Sequence, residues 1–426
     1  MMKIFDCKQV NRATIFQRGN LEDTSAVDAA VAAIIADVRE RGDAAVLDYT
    51  EKFDGVRLSA LAVTEDEIEE AYASCEPFFI ESLEKAAENI RAFHSRQVRN
   101  SFVITGENGT VLGQRVLPIE KAGLYVPGGT ASLASSVLMN AIPAKIAGVS
   151  RIVLVTPPGR DGKISAGVLA AAKIAGVTDI YKIGGAQAIA ALAYGTESVP
   201  KVDKIVGPGN IYVSVAKRMV FGMVDIDMIA GPSEILVLAD QTANPVHVAA
   251  DLLSQAEHDR LASSVLVCDS MELAEKVAEE VERQLKLLPR EEIARASIEA
   301  NGKIIVAADL MEGVEIANEI APEHLEICVD EPFVYLDAIK NAGSVFLGKN
   351  APEALGDYLA GPNHTLPTLG TARFSSPLSV DEFVKRSSFI YYTKDALAKV
   401  RDNIVEIAAH EKLDAHARSV TIRFEE

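Results

Sequence analysis

Tryptophan is absent from this 426-residue chain, and cysteine (four) and histidine (seven) are scarce. The cysteines are Cys7, Cys75, Cys268 and Cys328. None lie close together, which excludes a CxxC zinc site and a dense disulfide framework. Basic charge is also short. There are 42 Lys and Arg against 61 Asp and Glu, a formal net charge of −19. A nucleic-acid or anionic-membrane partner would want a basic face, so neither is expected. Long apolar runs are missing. ISAGVLAAAKIAGV is broken by Lys173 and falls short of the ~20 residues of a membrane span. MMKIFDCKQV carries no secretory apolar region, so a cytoplasmic, reducing location is expected. What is present is an ordinary globular mixture, 49% apolar and 24% charged. At ~150 residues per domain the length suggests roughly three domains. With so few histidines, those inside ordered motifs are worth following.

The first quarter reads as helical. From Thr24 to Arg41, Val27, Val31, Ile34, Ile35 and Val38 share a face, and Gly42 can cap the end. Thr64 with Glu67 is a capping-box pattern, and a third helix runs from about Phe78 to His94. FVITGENGTVLGQRVLPI alternates around Glu107-Asn108-Gly109, a hairpin signal. From Gly123, short apolar runs (RIVLVTPP, DIYKIGG, KVDKIVGPGN) alternate with Ala-rich helical ones, and after Gly231 a second set begins (SEILVLAD, SSVLVCD, KIIVAADL, HLEICV, GSVFLG). This is the rhythm of βαβ units, so two α/β blocks with parallel sheets are expected. Residues 351–371 lose periodicity and read as a long ordered loop, a length that is usually functional. A mostly helical tail follows from Ser379.

Several constellations have both a chemical and a plain structural reading. VPGGTAS (126–132), IGGAQA (183–188) and VGPGN (206–210) each follow a strand-like run and precede a helix. They suit either phosphate binding or simple tight turns. Tyr212 stands where a dinucleotide fingerprint needs its third glycine. Gln255 and His258, three apart, can converge on one metal ion, or His258 can simply end a helix. Glu323 and His324 sit at a helix-to-strand junction; a carboxylate beside an imidazole suits proton transfer, or is a solvated turn. Glu353, Asp357 and His364 lie in the long loop, and Asp357 is either a hard metal ligand or a turn former. His410-Glu411 starts like HExxH but meets Asp414, so that motif fails, while His416 remains available as a ligand. Cys328, within LEICV, reads as a small buried hydrophobe. His94, His247 and His410 read as helix-surface residues.

The ordered set GLYVPGG, IGGAQAIAALAYGT, VGPGN, AGPSEILV, DLLSQAEH, APEHLEI, GDYLAGPNHTLPT and LDAHARSV resembles the histidinol dehydrogenase family from the first helices to the tail. The resemblance implies NAD⁺-dependent, two-step oxidation of L-histidinol to L-histidine through L-histidinaldehyde. It implies one Zn²⁺ per subunit on Gln255, His258, Asp357 and His416, the last crossing the interface of an interlocked homodimer with shared active sites. His324 is then the base and Glu323 the activator of water. Substrate contacts fall on Ser233, Gln255, His258, His324, Glu353, Asp357, Glu411 and His416, and NAD⁺ contacts on Tyr125, Gln187 and Asn210.

The implied fold is two incomplete Rossmann-like α/β domains with parallel-rich sheets and small terminal arms. Residues 1–22 would form a dimerisation arm. Residues 23–124 with 235–378 would form the larger domain carrying zinc and the catalytic pair. Residues 125–234 would bind NAD⁺, and 379–426 would be a helical arm reaching the partner's site. A same-family alternative oxidises another small alcohol, such as a sulfonated diol, on the same machinery.

Overall fold

Runs such as RIVLVT and EILVLA have no polar alternate, so they are stable only as strands covered on both faces. The computed structural model describes residues 2–7, 25–128 and 133–425. Its strands begin with β1 (Lys3–Asp6), β2 (Phe102–Thr105), β3 (Val111–Pro118), β4 (Lys121–Tyr125), β5 (Arg151–Thr156), β6 (Asp179–Lys182) and β7 (Lys204–Val206). They continue with β8 (Asp225–Ile226), β9 (Glu234–Ala239), β10 (Ser263–Cys268), β11 (Lys303–Val306), β12 (His324–Cys328), β13 (Ser344–Leu347) and β14 (Val384–Tyr391). The chain divides into two units, Met1–Gln97 with Ile119–Phe383, and Val98–Pro118 with Val384–Glu426.

The first unit holds two wholly parallel sheets. One has the order β6-β5-β4-β7-β8 and the other β1-β11-β10-β9-β12-β13. The first reverses its strand order between β4 and β7, and the second, apart from the edge strand β1, between β9 and β12. Such switch points open a crevice at a sheet edge. Along β5 and β4, alternate residues face opposite sides. Leu124 and Leu154 pack with Ile68, Leu83 and Ile90, whereas Val153 and Val155 pack with Val31, Ile34, Val38 and Val46.

The two α/β blocks, the capping box at Thr64 and the hairpin through residues 102–118 form as the pattern predicts. Other elements differ. The helices of residues 25–94 pack largely against the five-stranded sheet, and the helix Pro77–His94 also meets the 351–378 stretch, through Leu378 in the same core and through Asn89 donating to the Leu359 carbonyl at 2.7 Å. Lys3–Asp6 pairs with β11 as the edge strand of the chain's own sheet. The rest of the expected N-terminal arm, residues 8–24, lies outside the described residues, as do residues 129–132 of VPGGTAS. The 351–371 stretch contains a short helix, Glu353–Tyr358. His94 is fully buried rather than on a helix surface. Its Nδ1 bonds Gln97 Oε1 at 2.7 Å, and Gln97 also accepts the Val380 amide.

The second unit is an antiparallel sheet, β14-β3-β2, with the helices Lys394–His410 and Asp414–Thr421. The tail thus contributes an eight-residue strand, β14, where a mostly helical segment was expected. Ile104, Leu112 and Ile390 are register partners across the three strands, and all three are exposed. No helix among the described residues is long and apolar enough to cross a membrane.

Candidate active site

The catalytic candidates collect at the amino edge of the six-stranded sheet, at its switch point. Glu234 opens β9 and His324 opens β12, one register step from each other. The helix Leu310–Ile320 stops just before them because Ala321 adopts a left-handed φ of 50° and Pro322 follows. Glu323 and His324 are then gripped by one residue. The Glu234 amide donates to Glu323 Oε2 at 2.8 Å, and the Glu234 carbonyl faces His324 Nδ1 at 3.0 Å.

A carbonyl only accepts, so Nδ1 of His324 carries the proton and Nε2 holds the lone pair. That Nε2 is buried without a hydrogen-bond partner. It lies 3.8 Å from Glu353 Oε1 and 3.9 Å from Asp357 Oδ1. Burial pushes the imidazole down, against the pull of Glu353, so the ring is neutral near pH 7. A neutral imidazole with a free lone pair at a cavity wall has the chemistry a general base needs. The cavity, about 240 Å³, is lined by His324, Phe346, Asp357, Asn363, His364 and Leu366 among others.

The helix Glu353–Tyr358 delivers two of the acids. Residues four apart share a helix face, so Glu353 and Asp357 point the same way. Burial pushes Asp357 well above the usual carboxylate range, and the charge of Glu353 adds to this. Burial likewise raises Glu323; the hydrogen bond from the Glu234 amide opposes it, and the charges of Glu234, Asp357 and Glu353 add to it. Burial is the largest influence on Glu353 and raises it, but the His324 ring, Asp357, Gln255 and the Ser254 hydroxyl, 3.0 Å from Oε2, together outweigh it, so its pKa is lowered. His364 donates from Nδ1 to the Asp357 carbonyl at 3.0 Å and accepts from Ser136 at Nε2. Burial pushes its ring down to about 4.

A divalent cation fits this edge. His324, Glu353 and Asp357 each offer a ligand atom, all within 4.8 Å of one another. Gln255, at the end of the helix Pro245–Ala256, is 1% exposed, yet both its amide atoms lack hydrogen-bond partners. Its amide neighbours Glu353. A buried orphaned amide costs free energy that a ligand would recover. His258 follows on an exposed turn, and its ring opposes protonation of His324 and His364. Ser233 is half-buried immediately before β9. Glu411 and His416 are exposed residues of the second unit.

The dinucleotide candidates lie at the opposite, carboxyl edge of the five-stranded sheet. Tyr125 ends β4, and its hydroxyl accepts the Gly185 amide at 3.1 Å. Burial raises this phenol to about 12. Gln187, in the helix Gly185–Tyr194, is buried with Oε1 unpartnered. Asn210 caps the helix Ile211–Val220, its Oδ1 accepting the amides of Tyr212 and Val213. A Cβ on Gly207 would sit 2.1 Å from the Tyr125 carbonyl, so only glycine lets the turn approach β4. Backbone cradle and orphaned amide together fit a dinucleotide.

Glu234 was not foreseen as a site residue. Its hydrogen bonds to Glu323 and His324 come from its backbone, where side-chain identity carries no signal. Glu326 was also missed, although it directly follows the PEHL motif. It is buried on β12, and its Oε1 receives the Glu353 amide at 2.7 Å. Burial, and then the charge of Asp251, raises it to about 9.

Known proteins share this fold. The family model described as histidinol dehydrogenase matches residues 17–424. A histidinol dehydrogenase of Clostridium acetobutylicum is 58% identical over 391 residues, covering 92% of this chain and 91% of the relative. One of Geobacillus kaustophilus is 59% identical over 396 residues, covering 93% of each. The crystal structure of histidinol dehydrogenase from Elizabethkingia anophelis superposes with a TM-score of 0.93 at 40% identity, covering 100% of this chain and 98% of that one.

Proposed function

The chain belongs to the histidinol dehydrogenase family, and from that premise we propose that it oxidises L-histidinol to L-histidine by two hydride transfers to NAD⁺, through bound L-histidinaldehyde. The observation that carries this is the neutral His324, with Nδ1–H fixed on Glu234 and a buried, unpartnered Nε2. Nε2 takes the alcohol proton as hydride leaves the carbon for NAD⁺. Glu323 draws the proton from water as that water adds to the aldehyde, and His324 returns its proton to the aldehyde oxygen, which restores its free Nε2 lone pair. The hydrate formed is itself an alcohol, so His324 serves again as base and no covalent cysteine is needed. Cys328 is buried, and its thiol is pushed up by burial.

Gln255, His258 and Asp357 would hold Zn²⁺, one ion per subunit, with His416 supplied by a second copy of the chain. The ion, when bound, supplies a fixed positive charge that orients the substrate's imidazole and amino nitrogens. Ser233, Glu353 and Glu411 would bind the amino group. Tyr125, Gln187 and Asn210 would line the NAD⁺ crevice. The exposed row Ile104, Leu112 and Ile390, with Phe102 on the same face, supports a homodimer, because contiguous exposed apolar surface marks an interface. The reading extends to a cytoplasmic enzyme of histidine biosynthesis.

The test is a steady-state assay with zinc, histidinol and NAD⁺, expected to give two NADH per histidine. Absence of histidine overturns the reading. Chains carrying His416→Ala mixed with chains carrying His258→Ala test the shared site. Activity returns in heterodimers if the site is shared, and not if each chain builds its own.

A further inference from the structure

The turn Gly207-Pro208-Gly209-Asn210 is held by two charges that nothing in the chemistry above uses. The side chains of Lys217 and Asp227 are 2% and 0% exposed, and they form an ion pair with each other. A fully buried ion pair is an expensive way to gain stability, since apolar side chains of similar volume often serve as well. Here the remaining valences converge on one residue. Asp227 Oδ2 accepts the Gly207 amide at 2.7 Å, and Lys217 Nζ donates to the Gly207 carbonyl at 2.9 Å. Asp227 Oδ1 also accepts the Met228 amide at 2.6 Å. The peptide groups on both sides of one glycine are thus gripped by opposite charges. That glycine has φ +113° and lies against the carbonyl of Tyr125 at the switch point. The far end of the turn is fixed separately, by Asn210 capping the next helix.

We propose that Lys217 and Asp227 are positioning residues for the dinucleotide, holding the 207–210 turn in its binding shape before the ligand arrives. The proposal rests on the NAD⁺ reading above. It follows from where the charges are spent: a turn that meets a ligand through its backbone gains affinity when its ordering cost is met in advance. A second buried lysine, at the start of β7, provides the contrast. Lys204 pairs with Asp225 at 2.9 Å and with Glu382, and makes no bond to the turn.

NADH binding is measured by its own fluorescence, which a chain without tryptophan leaves free of indole emission. Thermal melts and the KM for histidinol are recorded in parallel. Lys217→Met is expected to weaken NADH binding at least tenfold while shifting the histidinol KM less than twofold. Lys217→Met combined with Asp227→Asn leaves no unpaired charge, and serves where the single variant does not fold; the same loss is expected. Lys204→Met should lower the melting temperature and leave NADH affinity within twofold. Wild-type affinity in the folded Lys217 variants overturns the proposal, as does an equal loss in Lys204→Met. If the wild-type chain binds no NADH, the nucleotide reading itself falls and takes this one with it, a result distinct from an unaltered variant.

Discussion

The two parallel sheets of the first unit offer opposite edges to chemistry. The six-stranded sheet uses its amino edge, where Ser233, Glu323 and His324 stand. There the helices Pro245–Ala256 and Leu310–Ile320 end, presenting carbonyl termini that favour cations. The five-stranded sheet uses its carboxyl edge, where Tyr125 and Gly207 stand. There the helices Gly185–Tyr194 and Ile211–Val220 begin, presenting amide termini that favour phosphate. The polar atoms differ in the same sense. At the amino edge His324 Nε2, Glu353 Oε1 and both amide atoms of Gln255 are buried without partners. At the carboxyl edge the turn is satisfied by Lys217, Asp227 and Asn210, with Gln187 Oε1 left over. A site that takes its ligand through side chains leaves side chains waiting; a site that takes it through backbone uses side chains to hold that backbone. The loop after Asp357 joins the two edges. His364 bonds Ser136, Asn363 donates to the Met139 carbonyl at 2.6 Å, and Thr365 donates to Asn140.

The largest effect should come from breaking the amino edge alone. His324→Asn keeps a donor for the Glu234 carbonyl and removes the base. Turnover is expected to fall ~10²–10⁴-fold, the range for a lost general base. Zinc content and NADH affinity should be unchanged. Undiminished histidine formation would remove His324 from the mechanism, and a parallel loss of NADH binding would erase the separation between the edges.

The next test addresses the orphaned amide. Gln255→Leu is expected to stabilise the metal-free protein by about 1–3 kcal/mol, because it removes an unsatisfied buried group. It should also abolish stoichiometric zinc. Melts in chelator and in excess zinc should therefore rank wild type and variant in opposite orders. A variant that retains one tightly bound zinc per chain would show that Gln255 is not a ligand.

Much of this was legible in the residues, and the failures have physical causes. Buried parallel strands such as β5 and β9 announce themselves because both faces must be apolar. β14 does not, because VKRSSFIY is mostly exposed and gains its strand conformation from pairing with β3, far back in sequence. The helix Glu353–Tyr358 is too short to show a period, and it owes its start to Pro352 and to Glu326. The roles of Glu323 and His324 rested on resemblance; from their own segment a solvated turn was as good a reading. The tautomer that makes His324 a base depends on a backbone carbonyl ninety residues away.

His94 sharpens the comparison, because an orphaned atom need not mean a waiting ligand. The buried residues of the helix Pro77–His94 are Leu83, Ala86, Ala87, Ile90 and His94, so the helical spacing alone puts His94 on the core face. Its Nδ1–H goes to Gln97, and Nε2 is buried unpartnered, with burial holding the ring below its ordinary pKa. None of the acids that surround His324 accompany it among the causes of that shift. Its orphaned atom should therefore appear as a pH-dependent stability cost. Below pH ~6.5 the unfolded chain takes up a proton that the folded chain resists, so stability is full above that pH and falls as the pH drops through it. The slope has a ceiling of about 1.4 kcal/mol per pH unit. His94→Gln keeps a donor toward Gln97 and cannot titrate. Urea midpoints at pH 7.5 and 5.5 should therefore fall further for wild type than for the variant, by about 1 kcal/mol in unfolding free energy. Equal falls would mean that His94 takes up its proton as readily folded as unfolded, and that its buried nitrogen is not the liability the packing implies.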